Sequence, residues 1–81
     1  MNNETDYKNK IKQIVSQVLN VDLKKIKNKS GPDSLQEWDS LKHLNIILAC
    51  EEHFDLKFSN NELVEMLDID TINEVLKEKI K

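Results

Sequence analysis

Asp39, Ser40 and His43 bring the three residue types of a hydrolase triad into five consecutive positions. A triad needs its imidazole between hydroxyl and carboxylate, separate backbone supports for the three, and donors for an oxyanion. Adjacent Asp39 and Ser40 project in different directions and no Gly-rich turn supplies the donors, so nucleophilic catalysis is set aside. The carboxylate pairs Glu51-Glu52 and Asp68/Asp70 fall in polar settings with no pocket implied, and read as solvated faces or helix caps. Cys50 lies among apolar neighbours and reads as a small buried hydrophobe; as the single cysteine it excludes an internal disulfide or a Cys-based zinc cage. His43 and His53 are ten residues apart on one expected helix, which is not a whole number of turns, so no metal site is expected from them.

Binding an anion is better supported. Asp39 is placed as the N-cap of a helix that opens at Ser40, accepting from the backbone N–H of Leu41 or Lys42. A helix mouth has unpaired N–H groups and roughly half a positive charge, which suits a phosphate held at Ser40.

The elements that must position this serine are helical. One Gly and one Pro in 81 residues leave few helix breakers, and Asn, Lys, Glu, Leu and Ile dominate. Tyr7, Ile11, Ile14, Val15, Val18 and Leu19 trace one helical face, with Thr5 or Asp6 as cap and Asn20 as stop. Val21, Leu23 and Ile26 anchor a short turn, and 28–33 is turn chemistry throughout. Leu35 and Trp38 are large enough to pin this long loop onto the core. The second helix is expected over Ser40 to His53, with Leu41, Leu44, Ile47 and Leu48 at helical spacing. Ile46, Ala49 and Cys50 widen that stripe, which predicts the most buried helix of the domain.

Phe54, Leu56 and Phe58 then alternate with polar residues in an extended connector. Ser59 and Glu62 form a capping box for a short third helix with Leu63, Met66 and Leu67. Asp70 caps a last helix with Ile72, Val75, Leu76 and Ile80 inward. The expectation is an all-α four-helix bundle with a long first loop and a short third helix: one domain over 1–81, its core at about 7–80.

Charge is divided along the chain. Residues 1–30 carry seven Lys against three acids, a net of +4, whereas 33–70 carry ten acids against two Lys, a net of −8. The acidic middle repels nucleic acid and favours a basic protein partner; the basic first third alone would suit a polyanion. No apolar run is long enough to span a membrane and nothing near Met1 resembles a signal peptide, so a cytoplasmic protein is expected.

Asp39-Ser40-Leu41 at a helix start, Glu51-Glu52-His53-Phe54 eleven residues after the serine, the extended Phe58 segment and the four-helix order resemble an acyl carrier protein. The resemblance runs from about Tyr7 to Ile80. A second Asp-Ser-Leu at Asp33-Ser34-Leu35 lacks that spacing and sits in the Gly-Pro turn. The resemblance implies that Ser40 carries 4′-phosphopantetheine, taken from coenzyme A, whose thiol holds an acyl or aminoacyl group as a thioester. It implies a carrier with no catalysis of its own. Its partners would be a phosphopantetheinyl transferase, an acyl- or aminoacyl-activating enzyme and a downstream acyltransferase or synthase. Leu41, Glu37, Glu51, Glu52 and Asp55 would meet these enzymes, and the carrier would be a monomer.

Many family members have Gly a few residues before the serine. Here Glu37-Trp38 fills that stretch, as in a stand-alone subgroup with Trp directly before Asp-Ser-Leu. Lys42 and His43 stand where carriers of fatty-acid synthesis tend to be acidic. This directs the expectation to polyketide, nonribosomal peptide or cell-surface biosynthesis, with Lys42 as a candidate to pair with the phosphodiester. The alternative is an unmodified helical adaptor that binds a protein through the acidic face of the second helix.

Overall fold

The computed structural model describes residues 7–80. Four helices follow in order: α1 (Lys8–Leu19), α2 (Ser40–Phe54), α3 (Asn60–Glu65) and α4 (Ile69–Ile80), with a 3₁₀ turn at Leu23–Lys25 in the first loop. There is no strand among the described residues, and the all-α architecture with a long first loop and a short third helix is the expected one.

Helix α1 buries Ile11, Ile14, Val15 and Leu19 on one face, as the spacing predicts. The expected caps Thr5 and Asp6 lie outside the described residues. Tyr7 precedes the first helical residue without a side-chain cap, and its backbone N–H donates to Oδ1 of the buried Asn73 on α4 at 2.9 Å. The Tyr7 ring meets Phe54 edge-on, with centroids 5.3 Å apart, which joins the start of α1 to the end of α2. Asn20 ends α1 in the left-handed conformation, φ 58°.

The first loop is tied down at both ends. The 3₁₀ turn is capped by Asp22, and Ile26 is buried, but the expected anchor Leu23 stands exposed. Ile26 follows the 3₁₀ turn in extended backbone, and it is this residue that reaches the core. Further on, the Asn28 carbonyl accepts from Asp70 N–H at 2.9 Å and the Ser30 carbonyl from Ile69 N–H at 3.1 Å. The loop thereby satisfies two of the orphan donors that open α4. Gly31 makes this contact possible, because a Cβ there would lie 2.1 Å from the Leu67 carbonyl oxygen.

Three expectations for the later helices need correction. Helix α2 buries only Ile46, Ile47 and Cys50, fewer residues than α1 or α4, while Leu41, Leu44 and Leu48 point outward. The inward face is the one that also carries His43 and Phe54, and the leucines lie on a second apolar stripe that finds no partner in the bundle. Leu67 and Ile80 are likewise exposed, since α3 ends at Glu65, leaving Met66 as the buried residue that follows it, and Ile80 is the last residue of α4. The capping oxygen of α4 comes from Asp68, whose Oδ1 accepts from Thr71 N–H at 2.8 Å, and not from Asp70. Asp70 instead sits between the ammonium groups of Lys8 (3.3 Å) and Lys29 (3.2 Å). Burial works to raise its carboxyl, but Lys29 and Lys8 outweigh this and hold it below the usual range. The capping box of α3 is present as expected, with Ser59 Oγ accepting from Glu62 N–H and Glu62 Oε1 from Ser59 N–H.

Gly31→Ala drives a methyl group into backbone that has no flexible end to yield, so it will destabilise the domain by about 1–3 kcal/mol. Urea unfolding will show a lower midpoint with an unchanged slope.

Candidate functional site

Ser40 is the first residue of α2 and is exposed. Asp39 caps the helix from an extended conformation, its Oδ1 accepting from Lys42 N–H at 2.9 Å, and its carbonyl accepts from His43 N–H at 2.8 Å. The rival Ser34 is exposed too, but its hydroxyl is engaged: Oγ accepts from Gly31 N–H at 3.0 Å and faces the Gly31 carbonyl at 3.3 Å. It closes a turn and has no helix mouth behind it.

Trp38 is 1% exposed, the largest fully buried side chain of the domain. Its indole N–H donates to Nδ1 of His43 at 2.8 Å, with the rings tilted at 31°. A nitrogen that accepts from an indole carries no proton, so His43 is the Nε2–H tautomer, with the Met66 carbonyl as a backbone partner of the ring. Burial pulls the His43 pKa below its ordinary value, and the Met66 carbonyl opposes this without reversing it. Trp38 thus occupies the one ring nitrogen free to accept a proton, and the imidazole does not serve Ser40 as a base. The residue before the cap, the first turn of α2 and the end of α3 are joined by this one histidine.

Of the residues expected to meet partners, Leu41 is 66% exposed and Glu37, Glu52 and Asp55 are exposed as well. Glu51 differs. It is half-buried, and its Oε2 accepts from Phe58 N–H at 2.9 Å, which holds the connector against the end of α2. Asp55 also has a backbone duty, ending α2 at φ 57°. Cys50 is buried, and burial with the nearby Glu51 charge pushes its thiol up to about 12, so it is inert.

Leu44 and Leu48, 50% and 53% exposed, extend from Leu41 along the outer stripe of α2, and Val64 and Leu67 are exposed on and just after α3. Leu44, Leu48 and Leu67 are expected from their spacing to face inward, and Val64 is not singled out by the sequence at all. The signal was present, because α2 has apolar residues on two faces and the bundle has room to bury only one.

The site is thus a capped helix mouth with an exposed serine, on a helical bundle whose outer α2 stripe is aliphatic with acids at both ends. No family model matches the chain. It is 43% identical over 54 residues to the acyl carrier protein of Buchnera aphidicola subsp. Schizaphis graminum (strain Sg), a stretch covering 65% of this chain and 67% of that one. Its fold matches the solution structure of the holo acyl carrier protein from Geobacter metallireducens with a TM-score of 0.80 and 25% identity, over 90% of this chain and 84% of that one. The chain belongs to the acyl carrier protein family. It is a carrier and not an enzyme.

Protonating His43 would set two N–H donors against each other. Its pKa is lowered on folding, so its contribution to stability is complete above the ordinary value of 6.5 and is lost as pH falls through the folded value. The Trp38 indole proton resonance will titrate with a midpoint below 6.5. His43→Phe will abolish that titration and cost about 1–3 kcal/mol for the unpaired indole N–H.

Proposed function

We propose that Ser40 carries 4′-phosphopantetheine and that the whole chain, 1–81, works as one monomeric carrier domain in the cytoplasm. The observation that carries this is the exposed Ser40 hydroxyl at the capped start of α2, in a chain of the acyl carrier protein family. The residues fit the group. An anion attached at Ser40 would sit where the dipole of α2 and the unpaired N–H groups of its first turn favour it. Asp39 opposes such an anion, but one of its oxygens is committed to Lys42 N–H, and the Lys42 ammonium can offset the remaining charge. When bound, the group supplies a thiol that holds an acyl or aminoacyl cargo as a thioester. The protein holds the tether, and tethering raises the concentration of cargo at each partner.

The partners are a phosphopantetheinyl transferase, an acyl- or aminoacyl-activating enzyme and a downstream acyltransferase or synthase. Leu41, with Leu44 and Leu48, offers them an aliphatic stripe. Glu37 at one end and Glu52 and Asp55 at the other steer basic surfaces to it. Glu51 contributes charge while its carboxylate holds Phe58. Lys42 and His43 beside the serine support service in polyketide, nonribosomal peptide or cell-surface biosynthesis. No helix among the described residues is long and apolar enough to cross a membrane.

Incubation with coenzyme A and a broad-specificity transferase, followed by intact mass, tests the reading. Wild type and Ser34→Ala will gain one phosphopantetheine, and Ser40→Ala will gain none. No gain on wild type would favour the unmodified adaptor.

A further inference from the structure

The basic first third of the chain has no part in the carrier site. Its lysines are not all spent on structure. Lys8 and Lys29 hold Asp70, but no ion pair among the described residues engages Lys12, Lys24 or Lys27. These three line a groove of about 420 Å³ between α1 and the 3₁₀ turn, together with Gln13, Leu23 and Ile26. No carboxylate among the described residues lines it; the nearby Asp22 has its Oδ1 committed to Lys24 N–H. Ile26 is buried beneath, while Leu23 is 45% exposed. The result is a concave surface with an aliphatic floor and three ammonium groups. It shares no lining residue with α2.

We propose that this groove docks an acidic, leucine-bearing segment of a partner protein. Three like charges brought together around apolar surface repel one another, and a ligand with matching carboxylates relieves that repulsion as it covers Leu23. The shape and lining separate this occupant from the others. A membrane surface calls for a protruding apolar face, and this one is concave with a single exposed leucine. Single-stranded nucleic acid calls for aromatic platforms, which the lining lacks, and the net charge of −3 works against a long polyanion. A second copy would have to offer its own acidic end, around Leu48, Glu52 and Asp55, and self-association on concentrating the protein alone tests that occupant. The inference stands without the carrier reading. It gives the domain a second contact surface of opposite charge, so that one partner can hold the protein while another works at α2.

The test uses the unmodified chain and a capped peptide of repeated Glu-Glu-Leu triplets, followed by amide chemical shifts in about 0.15 M salt, where exposed charges act only at short range. Saturable shifts confined to residues 9–13 and 23–27 are expected. Lys12→Gln/Lys24→Gln/Lys27→Gln should weaken binding at least about tenfold, near 1.4 kcal/mol, with an unchanged circular dichroism spectrum, whereas Lys57→Gln/Lys77→Gln should bind like wild type. Shifts that do not saturate, or that spread equally to the other lysines, would overturn the proposal. So would the same shifts on concentrating the protein alone, which would assign the groove to a second copy, or tighter binding to vesicles of anionic phospholipid. Phosphopantetheine loading at Ser40 has no bearing on any of these outcomes.

Discussion

The buried indole of Trp38 sets the terms for the functional end of this domain. An indole N–H taken out of water must find an acceptor, and here the acceptor is a neutral imidazole from the first turn of α2. That requirement fixes the tautomer of His43, keeps it uncharged and ties the segment before Ser40 to the helix behind it. The Met66 carbonyl works to raise the His43 pKa, and burial outweighs it. Ser40 is exposed, but the backbone on either side of it is not free to move.

A similar economy governs the long first loop. Its carbonyls at Asn28 and Ser30 satisfy the opening donors of α4, its only glycine lies against the Leu67 backbone, and Lys29 joins Lys8 on Asp70. The loop therefore packs as part of the bundle, which explains how the twenty residues of 20–39, with only a short 3₁₀ turn among them, persist in so small a domain. What remains unspent on the fold is left at the surface in two chemically opposite places. One is the aliphatic stripe of α2 with its flanking acids, and the other is the lysine-rimmed groove beside α1. The first is the surface proposed to meet partner enzymes; the second has no part in that proposal.

Much of this was legible in the residues. The face of α1, the Asn20 stop, the Asp39 cap, the Ser59–Glu62 box and the pinning role of Trp38 all follow from local chemistry, because a cap or a turn involves neighbours a few positions apart. Asp70 is expected as the cap of the last helix because it precedes Ile72, but α4 opens at Ile69, so Asp68 caps it and Asp70 falls in its first turn, held by Lys8 and Lys29, far away in sequence. Leu67 and Ile80 fit an inward spacing but lie where their helices end.

The sequence by itself determined the helical class, the order and approximate bounds of the four helices, and the serine that stands at a helix mouth. These rest on spacing and capping, which act within one or two turns. Only the tertiary structure decided which of two apolar faces of α2 is buried, that Glu51 is spent on Phe58, and that Ser34 is closed within its turn while Ser40 is open. The reason is that periodicity states which residues share a face, while burial depends on how many faces the neighbouring helices can cover. In a bundle of this size they cover one, and the face left over is the one beside Ser40.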